Sequence, residues 1–251
     1  KKIPLKNSTI CAFGSTRRKN STCEQDSSLQ TLLAAQTEIV VIFGKAWPFH
    51  VTEIIKTTLE ENLLMIKETC AYLKEQGKRV FFDAEHFFTA YQENKDYALK
   101  TLQAALDGGA EVLCLCETKG GSMINQVQDA VKEVVELFGK KAQIGIHTHN
   151  DSGLAVANSL VAVSEGATHV QGVLLGFGER TGNANLSTII PNLQLKMGHE
   201  CIPEENLAKL TPICKQVAEI ANIKLNSQLP FVGANAFSHK AGMHIDAVLK
   251  N

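Results

Sequence analysis

A (β/α)8-type barrel is the fold class that this sequence predicts, and three observations predict it. Short, almost continuously apolar runs recur along the chain and alternate with amphipathic stretches long enough for helices, which argues for parallel strands joined by crossover helices. No GxGxxG follows a strand-like run and no Walker A motif occurs, so the common nucleotide-binding open sheets lose support. Polar residues suited to chemistry sit at the C-terminal ends of at least four of the runs, and dispersion around one rim is how barrels build sites.

The strand-like runs are residues 9–13, 38–43, 79–82, 111–116, 143–147 and 169–175. Between them, residues 57–76 place Leu59, Leu63, Ile66, Cys70 and Leu73 on one helical face and close at Gly77, a suitable left-handed cap. Residues 124–138 do the same with Val127, Val131, Val134 and Phe138, closed by Gly139. Six βα units are two short of a closed barrel, and the chain opens directly into a strand. The expectation is therefore a TIM barrel over residues 1–199 lacking its first two βα units in this chain, followed by a small C-terminal helical subdomain over 200–251, the start of a linker. In that subdomain Thr211 is expected to cap a helix with Pro212 at its first position and Ile213, Val217 and Ile220 as its buried stripe.

Composition narrows the function classes. Of the 251 residues, 44% are hydrophobic and 20% charged, as in an ordinary soluble globular protein. A formal net charge of −1 implies no general attraction to nucleic acid or to a membrane surface. Seven cysteines form no CxxC pair and read as reduced thiols of a cytoplasmic protein. Neither a membrane span nor a signal peptide is expected.

The strongest chemical signal is GIHTHND. Side chains two apart on a strand point the same way, so His147 and His149 face the barrel mouth together, and two neutral imidazoles are a natural pair of metal ligands. The plain alternative is two histidines satisfied by neighbouring carbonyls. GFGERTGNAN follows the last run with Glu179, Arg180 and Asn183, whose amide oxygen can complete a mixed nitrogen–oxygen site; alternatively it is a tight loop in which Glu179 and Arg180 pair. In FFDAEHFF, Asp83 and Glu85 share one side of a strand end, where a carboxylate can serve as a general base or merely cap the next helix. His86 points the other way and reads as structural. In CETKGG, Glu117 and Thr118 end a strand before two glycines, and Thr118 can hydrogen-bond a substrate carboxylate or cap a helix. Arg17, Arg18 and Lys19 could meet an anionic coenzyme or form a solvated loop; Lys45, Trp47 and His50 also follow a strand; Cys114 and Cys116 read as small buried hydrophobes.

HTHND followed by GERTGNAN resembles the metal-dependent barrel family of 2-isopropylmalate, homocitrate and citramalate synthases. AFGSTRRKN, FGKAWPFHVTE, FFDAEHFF and PFVGANAFSHKAGMHIDAV are most similar to its citramalate synthase branch. The resemblance implies an acetyl-CoA-dependent acyltransferase acting on a 2-oxo acid, pyruvate in that branch or 2-oxoisovalerate in its neighbour, within isoleucine and branched-chain amino-acid biosynthesis. It implies a divalent metal (Mg2+, Mn2+, Co2+ or Zn2+) on His147, His149 and Asn183, acid–base catalysis by Glu85 and His244, substrate contacts from Thr118, Glu117 and Arg180, and a homodimer. Glu117 stands where relatives usually carry aspartate. The family's opening strand, ending D-T-T-L-R-D-G with a catalytic arginine and a further metal ligand, has no counterpart in residues 1–15. Two other expectations stay open: a carbon–carbon lyase on the same scaffold, disfavoured because GFGERTGN lacks the cysteine such lyases carry there, and a non-catalytic binding protein.

Overall fold

In the computed structural model, which describes residues 5–250, six strands form one parallel sheet in chain order. They are β1 Cys11–Ser15, β2 Ile39–Lys45, β3 Arg79–Glu85, β4 Val112–Glu117, β5 Gln143–Thr148 and β6 His169–Gln171. The connections carry α1 Ser27–Ala34, a π-helical turn His50–Ile54 with α2 Leu59–Glu75, α3 Phe87–Glu93 with α4 Lys95–Asp107, α5 Ile124–Phe138, and α6 Ala155–Ser164. Parallel crossovers are right-handed, so a strand order that never reverses puts every connecting helix on one face of the sheet.

Side chains alternate along each strand. Val40 and Ile42, Val80 and Phe82, Leu113 and Leu115, and Ile144 and Ile146 turn toward the helices and share one core with Ile66, Cys70 and Leu73 of α2, Leu102 of α4 and Val127, Val131 and Val134 of α5. The opposite parity (Phe81 and Asp83, Cys114 and Cys116, His147, His169 and Gln171) faces the concave side. Two strands lie between β3 and β6, which in a flat sheet separates them by about 14 Å. Yet the Phe81 and His169 rings meet edge-to-face at 5.6 Å, and Gln171 Nε2 donates to Asp83 Oδ1 at 2.8 Å. The sheet is rolled into a barrel wall, as the sequence predicts.

Local signals explain most boundaries. Thr58 caps α2 by accepting from Glu61 N–H at 3.1 Å, and Gly77 ends it in the left-handed region at φ 76°. Its buried face is Asn62, Met65, Ile66, Thr69, Cys70 and Leu73, with Leu59 and Leu63 at the margin. The stripe is rotated from the expected one because two polar residues have partners inside. Asn62 Nδ2 donates to Lys45 O at 2.8 Å and lies at the same distance from Tyr97 Oη, while Thr69 Oγ1 accepts from Arg17 N–H at 2.9 Å. Helix α5 has the expected bounds and buries Val127, Val131, Val134 and Phe138, but Gly139 closes it with a right-handed φ of −61°. Strand β6 stops at Gln171 rather than running to 175. Val173 exchanges hydrogen bonds with Ala184 O and Leu186 N–H, and Leu175 sits in the left-handed region at φ 64°, which ends extended backbone.

The chain divides into two compact units, Lys1–Gln171 and Gly172–Asn251. The second unit contains α7 Leu186–Met197, α8 Glu204–Leu207, α9 Leu210–Ile220 and α10 Gly242–Leu249. Helix α9 begins at Leu210, so Thr211 and Pro212 lie inside it, and Leu210, Cys214 and Ala218 are its buried positions. Leu210 and Cys214 pack with Val232, Leu174 and Leu175, which turns the expected stripe outward and leaves Ile213 and Ile220 exposed.

Two outcomes follow for the first unit. Phe82 is fully buried at the centre of the wall, and Phe82→Ala is expected to lower unfolding stability by about 3–5 kcal/mol in urea titrations. Burial against Phe81 holds His169 below the ordinary histidine pKa of 6.5. The folded chain therefore binds fewer protons there than the unfolded chain as pH falls from 6.5 toward the depressed value, and stability is lost across that window. His169→Phe keeps a ring against Phe81 and removes the titration. Wild type is expected to weaken relative to this variant as pH drops below neutrality, and a pH-independent difference would contradict the assignment.

Candidate functional site

The C-terminal ends of β3, β4 and β5 carry the residues expected to do chemistry. His147 and His149 leave β5 on its concave side with ring centroids 5.2 Å apart. The backbone N–H of His149 donates to Glu117 O at 3.1 Å, extending the β4–β5 ladder beyond the strand. His147 Nδ1 lies 2.7 Å from Gln171 Oε1, and the amide of Gln171 in turn donates to Asp83. Asp83 is 3% exposed, and burial pushes its carboxyl up against the opposing effect of hydrogen bonds from Gln171 and Cys114. Two imidazoles side by side, one oriented by a hydrogen bond at Nδ1, could hold a divalent cation.

Glu85 ends β3 on the same concave side as Asp83. It forms an ion pair with Lys45, its register partner on β2, and both side chains are only partly exposed. Next to it, His86 adopts the left-handed region at φ 59°, unusual for a residue with a Cβ, and donates its backbone N–H to Thr118 Oγ1 at 2.9 Å. That bond makes Thr118 a brace between the ends of β3 and β4. The His86 ring packs edge-on against His50 at 4.4 Å, and Trp47 covers both, with Lys119 Nζ 4.1 Å above the indole. The ligand-type atoms of His50, Glu85 and His86 lie within 4.8 Å of one another. Lys45 and Lys119 flank this trio and oppose a cation there. Burial, and then Lys45, lower the pKa of His50. His86, read as structural from sequence, is thus part of the surroundings of Glu85.

Glu117 is placed differently from Glu85. It follows Leu113 and Leu115 in parity, is 2% exposed, and accepts a hydrogen bond from Ser122 Oγ at 3.2 Å within the β4–α5 loop. Burial raises its carboxyl above the ordinary range. The structure directs this side chain into the loop, where it fixes the turn after Thr118. Cys114 and Cys116 are buried thiols, and burial pushes Cys114 well above its usual range, as suits packing residues. Arg17 is buried between Glu61 and Glu68 of α2 at 2.8 and 2.7 Å, so it braces the first loop instead of facing an anion. A cleft of about 550 Å3 at the ends of β1 and β2 is lined by Arg18, Lys19, Phe43, Lys45 and Ile55 among others.

In the second unit, residues 173–186 fold back on themselves through a parallel bridge between Val173 and Asn185. Gly178 and Gly182 take φ of 151° and 93°, and a Cβ on Gly178 would strike the Asn183 side chain. Asn183 Nδ2 donates to Phe177 O at 2.9 Å, which orients the amide within the loop. Glu179 and Arg180 pair at 3.7 Å with both side chains exposed. The side chain of His244, expected to act in catalysis, lies outside the described residues.

Sequence reasoning missed Gln171. Its signal was present: His169 and Gln171 give an otherwise apolar run one polar face, and that face shares the concave side with His147.

Comparison with known proteins agrees with this architecture. The chain is 55% identical over its whole length to a protein named (R)-citramalate synthase from Aquifex aeolicus, covering 47% of it. It is 32% identical to a 2-isopropylmalate synthase from Sulfolobus acidocaldarius, over 84% of this chain and 53% of that protein. The chain thus spans about half the length of the curated relatives it matches. Among solved structures, a hydroxymethylglutaryl-CoA lyase from Pseudomonas aeruginosa superposes with a TM-score of 0.71 over 99% of this chain and 77% of that one, at 14% identity, a likeness of fold. The HMGL-like family description matches residues 6–220, and the chain belongs to the HMGL-like family.

Proposed function

We propose that the protein to which this chain belongs condenses acetyl-CoA with pyruvate, giving citramalate and free coenzyme A. The observation that carries this reading is the concave rim, where His147 and His149 stand side by side while Glu85, held by Lys45, ends a nearby strand. Chain-long likeness to a protein named citramalate synthase, at 55% identity against 32% for the 2-isopropylmalate synthase, favours pyruvate over the branched 2-oxo acid.

The donor set fits a divalent cation. Two imidazoles and the Asn183 amide oxygen suit Mg2+, Mn2+, Co2+ or Zn2+, and the hydrogen bonds of His147 and Asn183 are those that orient ligating atoms. Bound there, the cation supplies Lewis-acid polarisation of the 2-oxo acid carbonyl. Glu85 is assigned as the base that takes a methyl proton from acetyl-CoA, with Lys45 holding its carboxylate in place. The enolate carbon so formed bonds to the carbonyl carbon of pyruvate, and water then cleaves the thioester to release the thiol. Thr118 and Arg180 are assigned to the substrate carboxylate, Glu117 to shaping the loop that carries Thr118, and His244 to proton transfer with Glu85. The basic cleft beside Lys45 is the place for the coenzyme phosphates. A homodimer belongs to the same proposal, since Ile213, Ile220, Met243 and Leu249 leave apolar surface exposed on the second unit. Among the described residues no helix is long and apolar enough to cross a membrane.

Thiol release by the full-length protein is the direct test. Activity is expected with acetyl-CoA, pyruvate and added Mg2+ or Mn2+, with loss on chelation and a clear preference over 2-oxoisovalerate; preference for the branched acid would reassign the substrate. Glu85→Gln is expected to lower kcat by about 10²–10⁴-fold, while calorimetric binding of Mn2+ stays near that of wild type. Retention of full kcat would remove Glu85 from the role of base.

A further inference from the structure

We infer that Gln171 and Asp83 form a positioning relay that selects the tautomer of His147, presenting Nε2 as its lone-pair nitrogen to the mouth of the barrel. The relay rests on the metal-ligand role proposed for His147, and its geometry lies wholly within the first unit.

Donor and acceptor roles run one way along the chain of contacts. Asp83 is a carboxyl with Cys114 beside it as a thiol donor, and its Oδ1 accepts from Gln171 Nε2 at 2.8 Å. An amide that spends its nitrogen on Asp83 turns its oxygen to the other neighbour. That neighbour is His147 Nδ1, 2.7 Å away. Since Oε1 can only accept, Nδ1 must carry the hydrogen, and the lone pair of the neutral ring falls on Nε2.

Three features make this a built device rather than an incidental contact. Asp83 is 3% exposed on the concave side, a costly place for a carboxylate unless hydrogen bonds hold it. Gln171 is the last residue of β6, and its backbone is in register with His147, so the two side chains leave neighbouring strands side by side on the concave side. The relay also spans the lumen from β3 to β6, and the Phe81–His169 contact lies two residues earlier on the same two strands. Any change in the curvature of the wall would move Asp83 relative to Gln171.

Solid-state 15N NMR of the histidine-labelled, metal-free, full-length protein reads the tautomer directly, with His147 assigned by its disappearance in His147→Gln. Wild type is expected to show His147 protonated on Nδ1; an Nε2–H signal at neutral pH would overturn the relay without any variant. Gln171→Leu is expected to shift His147 toward Nε2–H and to weaken Mn2+ binding by about 10–100-fold. Gln171→Glu, which can only offer oxygen to Nδ1–H, is expected to keep the wild-type tautomer. An unchanged tautomer in Gln171→Leu, or a changed tautomer with unaltered Mn2+ affinity, would sink the inference. Wild type that binds no Mn2+ would instead defeat the proposed function, while the 15N spectra would still decide the tautomer.

Discussion

The contact across the lumen between β3 and β6 is the constraint on which the rest of the site depends. Six parallel strands in chain order can form a flat ribbon or a curved wall, and only the curved wall brings Asp83 within hydrogen-bond distance of Gln171. Curvature converts neighbours that are 88 residues apart in sequence into partners. It also aims the C-terminal ends of β3, β4 and β5 at one space, which is why Glu85 and the His147–His149 pair share the concave side.

Above that layer the chain accepts local strain to aim side chains. His86 takes a left-handed backbone conformation, a cost of about 1–2 kcal/mol for a residue with a Cβ. The Thr118 hydroxyl takes the His86 amide hydrogen, and Trp47 and His50 pack on its ring, so neighbouring strand ends hold the conformation in place. The left-handed turn directly after Glu85 lets β3 stop there and α3 begin at Phe87, so the carboxylate is the last side chain of its strand on the concave side. Lys45 then fixes it laterally. Arg17, buried between two glutamates of α2, performs the same service for the first loop. The charged residues nearest the rim are thus divided between those that hold loops and those that face the lumen, and parity along each strand decides which.

Parity also separates what the sequence made legible from what it hid. His147, His149, Asp83 and Glu85 were readable because i, i+2 spacing at the end of an apolar run puts both members of a pair on one side. The same rule assigns Glu117 to the helix side once Cys116 is placed in the lumen, so its turn into the loop was accessible in principle. The polar face of β6 was readable, but the partnership of Gln171 with Asp83 was hidden because the relation of β3 to β6 depends on how far the wall curls. The end of β6 was hidden because Leu175 gives no sign of a left-handed φ. The rotated stripe of α2 followed from buried Asn62 and Thr69, whose partners Lys45 and Arg17 come from distant segments. Local pattern carried the element order, and long-range hydrogen bonds carried the exceptions.

The lumen is graded along its axis, and the grading explains why a buried carboxylate is tolerated beneath the rim. Phe81 and His169 form a layer where burial lowers the imidazole pKa. Two residues further on, buried Asp83 and half-buried Gln171 and His147 form a layer linked by hydrogen bonds. Two residues beyond that come Glu85 and His149, at the open end. An apolar middle layer would pack at less cost, yet it would leave His147 without a fixed far-side partner and its ring free to rotate. The desolvation cost of Asp83 is therefore set against the orientation of His147, an exchange in keeping with the metal-ligand role proposed for that residue.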